Sequence, residues 1–151
     1  MIDKRGGTVA RRLVTKHDYE TLAAFRGELR RFLRFSEDAA RAVGLTPQQH
    51  QLLLTIMGTP GRDYATIKEI AEHLQLRHHT VVGLIDRMEG LGLIARRHST
   101  TDHRVVEVTL MPQGEGVLRT LTIAHKEELV RLTAVWRHLA AIIDGTPQQE
   151  S

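Results

Sequence analysis

The chain has 151 residues, 41% hydrophobic and 26% charged, the composition of a globular domain long enough to bury a core. It has no cysteine, which excludes disulfides, thiolate metal sites and thiol switches, and its 4% aromatic content is too low for a stacking platform that holds single strands. The net charge of +3 permits a nucleic-acid partner without requiring one.

Residues 1–16 carry Lys4, Arg5, Arg11, Arg12 and Lys16 against Asp3 alone. They read either as a solvated tail or as a basic arm that touches phosphates. They lack the apolar stretch of a signal peptide, and no run reaches the roughly 18 apolar residues of a membrane span. The expected location is the cytoplasm, with no membrane partner.

Residues 18–43 predict a long amphipathic helix. Leu22, Phe25, Leu29, Phe32 and Phe35 recur at helical steps, Ala39 and Val43 continue the stripe, and Arg26, Arg30, Arg31 and Arg34 take the other faces. Gly44 is its stop. Thr46-Pro47-Gln48-Gln49 opens the next helix, with Thr46 as N-cap, Pro47 in the first turn and Gln49 closing a capping box. That helix runs through Leu52, Leu53, Ile56 and Met57 to a break at Gly58, Pro60 and Gly61.

Thr66-Ile67 reads as a stub of strand. Lys68–Leu74 makes about two helical turns, Gln75-Leu76 a turn, and His78–Leu91 a second helix with Val81, Leu84, Ile85, Met88 and Leu91 on its inner face. Gly92 stops it. Residues 93–98 run extended to a polar tip at His98–Arg104, and Val106, Val108 and Leu110 alternate on the return strand. Met111-Pro112-Gln113 opens a last long helix, carrying Leu118, Leu121, Leu129, Leu132, Trp136 and Leu139, that ends at Asp144–Pro147. The two long terminal helices are too apolar to stand in water, and the small central unit cannot cover both. A homodimer built from both chain ends is the economical arrangement.

Helix, turn, helix and hairpin in that order can lay the second helix in a DNA major groove and reach the hairpin to a neighbouring groove. Arg77, His78, His79 and Thr80 stand at the helix start that meets base edges, and Val82 and Gly83 follow one turn on. Asp102, two residues before Arg104, is suited to orienting that arginine by a charge-assisted bond. Arg96 and Arg97 alternate along a strand, so at most one faces DNA. Arg87 reads either as a phosphate contact or as a bridge to a neighbouring helix. The nine histidines show no tight ligand spacing and no HExxH. No Ser/His/Asp order, phosphate-cradling loop or paired carboxylates stand out. No metal, cofactor or catalytic residue is therefore expected, and the chain is read as a non-enzyme.

Leu76–Gly114 resembles the winged helix-turn-helix of the multiple-antibiotic-resistance regulator (MarR) family. The resemblance rests on Thr80-Val81, Leu84–Glu89, Leu91-Gly92-Leu93-Ile94, Asp102-x-Arg104, and Val108-Thr109-Leu110 followed by Gly114. The helical order extends it to residues 18–143. Met111 stands where the family usually has threonine, and Gly83 where a larger polar or basic side chain is common.

The resemblance implies a mainly α fold with a small β-hairpin wing. Residues 46–111 would form the DNA-binding lobe, 17–45 and 112–144 a helical dimerisation region, and 1–16 and 145–151 a basic tail and a frayed end. It implies that Arg104 enters a minor groove, and that an effector pocket lies between dimer helices and lobe, with Phe25, Leu29, Phe32, Leu53 and Met57 as lining. The expected function is a homodimeric, ligand-responsive repressor on a pseudo-palindromic site in double-stranded DNA. The alternatives are a protein-interaction module that does not read DNA, and a histidine-based metal sensor.

Overall fold

The computed structural model describes residues 14–143. In chain order these form α1 (Lys16–Ala42), α2 (Pro47–Met57), β1 (Tyr64–Thr66), α3 (Ile67–Leu74), α4 (His78–Gly90), β2 (Ile94–His98), β3 (Val106–Leu110) and α5 (Pro112–Ile143). The basic segment up to residue 13 and the stop at Asp144–Pro147 lie outside the described residues.

Three helix starts are written in local sequence. Thr15, Thr46 and Thr66 each accept from a backbone N–H three residues on, and Asp18, Gln49 and Glu69 each reach back to the capping residue. The α3–α4 turn is closed by Gln75 in the left-handed region, with Leu76 N–H donating to the Ala71 carbonyl at 3.0 Å.

β1, β3 and β2 form an antiparallel sheet in that order. The first strand comprises Tyr64–Thr66, so Ile67 opens α3 rather than ending a strand. The burial of β3 departs from the simple alternation expected of a half-buried strand. Val108 and Leu110 enter the core, and Glu107 is buried as well, held by Arg97 across the ladder at 2.8 Å.

The core collects Leu52, Leu53 and Ile56 of α2, Ile70 of α3, Val81, Leu84, Ile85 and Met88 of α4, and Ile94 and Val108 of the sheet. Leu91 leaves the inner face expected of it. It caps α4 and is half exposed, because the chain turns away at Gly92, whose φ is +72°. Gly114 fixes the start of α5. A Cβ there would lie 2.1 Å from the Leu93 carbonyl oxygen, and the Met111 N–H donates to that same oxygen at 2.9 Å. A backbone anchor thus stands where threonine would have capped the helix.

α1 and α5 run antiparallel. Phe25 meets Trp136 edge-on at 5.2 Å, Glu28 meets Arg131 at 3.5 Å, and Ser36 meets His125 at 2.8 Å. Near the lobe these helices join the main core through Ala40, Leu118 and Leu121. Farther out, Leu132 and Leu139 are buried outside that core cluster. No helix among the described residues is long and apolar enough to cross a membrane.

Candidate nucleic-acid interface

α4 differs from the helices before it at its start. Its N-cap, Arg77, makes no side-chain capping bond, whereas α1, α2 and α3 have closed capping boxes. First-turn N–H groups of α4 are left without a side-chain acceptor, at the positive end of the helix dipole. Arg77, His78 and His79 are exposed there, and Thr80, Val82 and Gly83 are half-buried along the same helix. A Cβ on Gly83 would meet only the Arg87 Nη1, at 3.7 Å. Packing therefore does not demand glycine at this position.

The wing is ordered by its own hydrogen bonds. Ser99 N–H donates to the Val105 carbonyl and Val105 N–H to the Asp102 carbonyl, both at 2.9 Å. His98 Nδ1 donates to the His103 carbonyl at 2.9 Å. Asp102 accepts from the Arg104 backbone N–H at 3.0 Å and from its Nε and Nη2 at 3.1 and 3.2 Å. These bonds hold the Asp102 carboxyl below its ordinary range, the side-chain bond first and the backbone bond second. The result is a two-point clamp on a guanidinium whose side chain is still 91% exposed.

Arg104, Val105 and Val106 at the base of the wing, Thr66, Ile67 and Lys68 at the start of α3, and His78 at the start of α4 line one cleft of about 470 Å³. Sequence reading singled out Arg104 and His78 but missed Lys68. Its signal is a cation just inside the capping box of α3, and only the fold carries it to the wing.

Arg96 and Arg97 do not behave as free wing cations. They point to opposite faces of the sheet, as strand alternation requires, but both are engaged. Arg96 bonds Asp86 at 2.8 Å and Glu89 at 2.7 Å, tying β2 to α4. Arg97 bonds Glu107 and lies 5.2 Å from the centre of the Tyr64 ring, over which Arg62 also sits at 4.7 Å. Within one subunit both arginines brace the sheet, with side chains still 35% and 54% exposed. Arg87 makes no ion pair among the described residues, so the interhelical bridge considered for it is not formed.

The residues named as effector lining take different places within one subunit. Leu53 is fully buried in the core, Phe25 packs on Trp136, and Phe32 packs on His125. Met57 instead lines a cleft of about 470 Å³ between α2 and α5, with Leu54, Leu118, Thr122 and Ile123 as its apolar wall and Glu115, Arg119 and Lys126 bordering it. On the apolar stripe of α1, Phe25, Phe32 and Phe35 pack against α5, while Leu22 is exposed.

Residues 43–105 match the sequence model of the MarR family. The chain is 33% identical over 118 residues to the HTH-type transcriptional repressor MdtR of Bacillus subtilis (strain 168), an alignment covering 70% of this chain and 74% of MdtR. Its fold is similar to AbsC, a MarR family transcriptional regulator from Streptomyces coelicolor, with a TM-score of 0.65 at 20% identity, over 91% of this chain and 99% of that one. It is also similar to the S. aureus MepR–DNA complex, with a TM-score of 0.61 at 22% identity, over 75% of this chain and 82% of that one.

Proposed function

This chain belongs to the MarR family, and from that premise we propose that it is a DNA-binding transcriptional repressor that acts as a homodimer in the cytoplasm. The observation that carries the reading is the convergence of Lys68, His78 and Arg104 on one cleft, beside the uncapped start of α4. Two helix starts and a clamped wing arginine present positive groups on one side of the lobe, as a duplex requires.

In this reading Arg77, His78, His79 and Thr80 meet base edges and phosphates from the major groove. Val82 and Gly83 set how closely α4 approaches, and Arg87 and Lys68 hold phosphates. Arg104 enters the minor groove, oriented by Asp102. Residues 46–111 form the lobe, and α1 with α5 joins two copies. For a small-molecule effector, the cleft between α2 and α5 offers apolar walls for a hydrophobic body, with Arg119 and Lys126 for an anionic group. Such a ligand acts only through unequal affinity for the DNA-competent and DNA-incompetent arrangements.

Selection from random duplexes, followed by salt titration, tests the reading. The enriched site should be pseudo-palindromic with half-sites about 10 base pairs apart, and log affinity should fall linearly with log salt. Failure to enrich any duplex at low salt would rule it out and leave a protein-interaction module.

A further inference from the structure

Where α1, α2 and α5 meet, two histidines face each other, His50 buried and His125 part-buried. The His50 and His125 ring centroids are 4.9 Å apart. His125 lies under the Phe35 and Phe32 rings, at 5.3 and 6.0 Å. Its Nδ1 is 2.6 Å from the Leu121 carbonyl oxygen and its Nε2 2.8 Å from Ser36 Oγ. A carbonyl only accepts, so Nδ1 carries the proton, and in the neutral ring Nε2 accepts from the Ser36 hydroxyl. His50 is 2% exposed, and its Nδ1 has no hydrogen-bond partner among the described residues. A proton added there would create a buried charge and a donor with no acceptor. Burial, and secondarily the adjacent His125, hold His50 below the ordinary 6.5.

The neighbouring carboxylates are engaged elsewhere or lie at the surface; on α3, which packs on α2, Glu69 is taken by Arg62 and Glu72 by Lys68. α2 contains no Asp, Glu, Lys or Arg. On α5, Glu128 is bound by Arg131 at 2.7 Å, while Lys126 and Glu127 are exposed. On α1, Glu28 is shared by Arg31 and Arg131, Glu37 and Asp38 engage Arg41, and Arg34 is exposed. From the sheet that packs on α2, Glu107 is taken by Arg97.

We propose that the His50–His125 pair is a protonation-sensitive joint between the α1–α5 hairpin and the lobe. Its charging parts α2 from α1 and α5 and lowers affinity for DNA. A proton on His50 places a charge in the interior and strands a donor there, and both are relieved if water enters between the helices. α2 packs directly on α3, which leads into α4, so its displacement moves the DNA-facing helix relative to the hairpin. The DNA part of this proposal rests on the function proposed above.

The sign of the effect is diagnostic. His78, His79, His98 and His103 lie on the DNA-facing helix and the wing, where added positive charge tightens DNA binding. Weakening in acid is therefore the signature of the His50–His125 pair, since positive charge added on the DNA-facing surface acts the other way. Stability follows the same group. The folded chain resists protonating His50, so its contribution is complete above about 6.5 and declines as pH falls below that value.

The wild-type chain is compared with His50→Gln, and with His125→Asn as a second variant, from about pH 8 to about pH 5.5. Anisotropy with the duplex enriched at the higher pH measures affinity, thermal unfolding measures stability, and NMR of the wild-type imidazoles follows each histidine. The ratio of wild-type to variant affinity should drop on acidification, in the direction set by the lowered His50 titration. The wild-type melting temperature should fall more steeply than the variant's, and His50 should titrate below 6.5 together with shifts at Ser36. A constant affinity ratio overturns the proposal, as does ordinary titration of both rings without any change at Ser36. The wild-type NMR series decides even if both variants unfold. If no duplex binds at the higher pH, the DNA reading fails, while the melting and NMR series still decide whether the joint opens.

Discussion

At the residue scale, Arg104 and Asp102 separate two effects that charge counting merges. Asp102 places a negative charge on a tip proposed to meet phosphate, so electrostatics alone makes Asp102→Asn bind DNA more tightly. The carboxylate also grips the Arg104 guanidinium at two atoms and its backbone N–H, so orientation alone makes the variant bind more weakly. We expect orientation to win on the selected site, since a well-placed base contact is worth about 1–3 kcal/mol, and non-specific affinity to rise. Arg104→Ala should cost a comparable amount on the selected site and lower the salt slope by about one per subunit. Its melting temperature should stay near wild type, because the side chain is 91% exposed. Anisotropy on selected and scrambled duplexes reads both variants. Tighter specific binding by Asp102→Asn would remove the clamp from the mechanism.

At the element scale, the close approach of Gly114 to Leu93 joins the end of the α4–β2 turn to the start of α5. A methyl group at Gly114 meets backbone 2.1 Å away, which cannot swing aside as a side-chain tip would. Gly114→Ala should cost about 2–4 kcal/mol in urea unfolding at fixed protein concentration. Gly116→Ala, with nothing within 4 Å of the added carbon, should gain up to about 1 kcal/mol from helix propensity. Equal effects would show that the Leu93 contact yields. This scale also shows what sequence can reveal. Thr46-x-x-Gln49 was legible because a capping box is a bond between residues three apart, and Thr15-x-x-Asp18 carried the same signal unread. The helix-turn-helix was legible because its stripes and stops are local. The partners of Arg96 and Arg97 were not, since Asp86, Glu89 and Glu107 reach them only through the packing of α4 on β2 and the register of β3. Lys68 was missed for the same reason. Periodicity marked Phe25, Phe32 and Leu53 as apolar but gave no direction; within one subunit Phe25 and Phe32 pack on α5 and Leu53 in the core.

At the scale of the whole molecule, α1 and α5 leave Leu22, Leu33, Leu129 and Val130 exposed in a single subunit. α5 presents a groove of about 650 Å³ lined by Leu129, Leu132, Thr133, Trp136, Arg137 and Ala140. Leu22, one turn before the Phe25 that meets Trp136, is 61% exposed. Monomers rarely carry continuous apolar patches beyond a few hundred Å², and a second copy related by two-fold symmetry would present the same face in return. The choice of test residue follows from burial. Leu132 is 3% exposed within one subunit, so a charge there would attack the fold rather than the association. Leu22→Glu and Leu129→Glu instead place charge on side chains that one subunit leaves in water. Light scattering should report twice the subunit mass for wild type and 17.1 kDa for the variants. Circular dichroism should show retained helix, and affinity for a two-half-site duplex should fall by far more than affinity for one half-site. A variant that keeps twice the subunit mass would move the interface off these helices. One that becomes a monomer yet binds the full site as tightly as wild type would mean that each lobe reads DNA alone, and the pairing of half-sites would lose its physical basis.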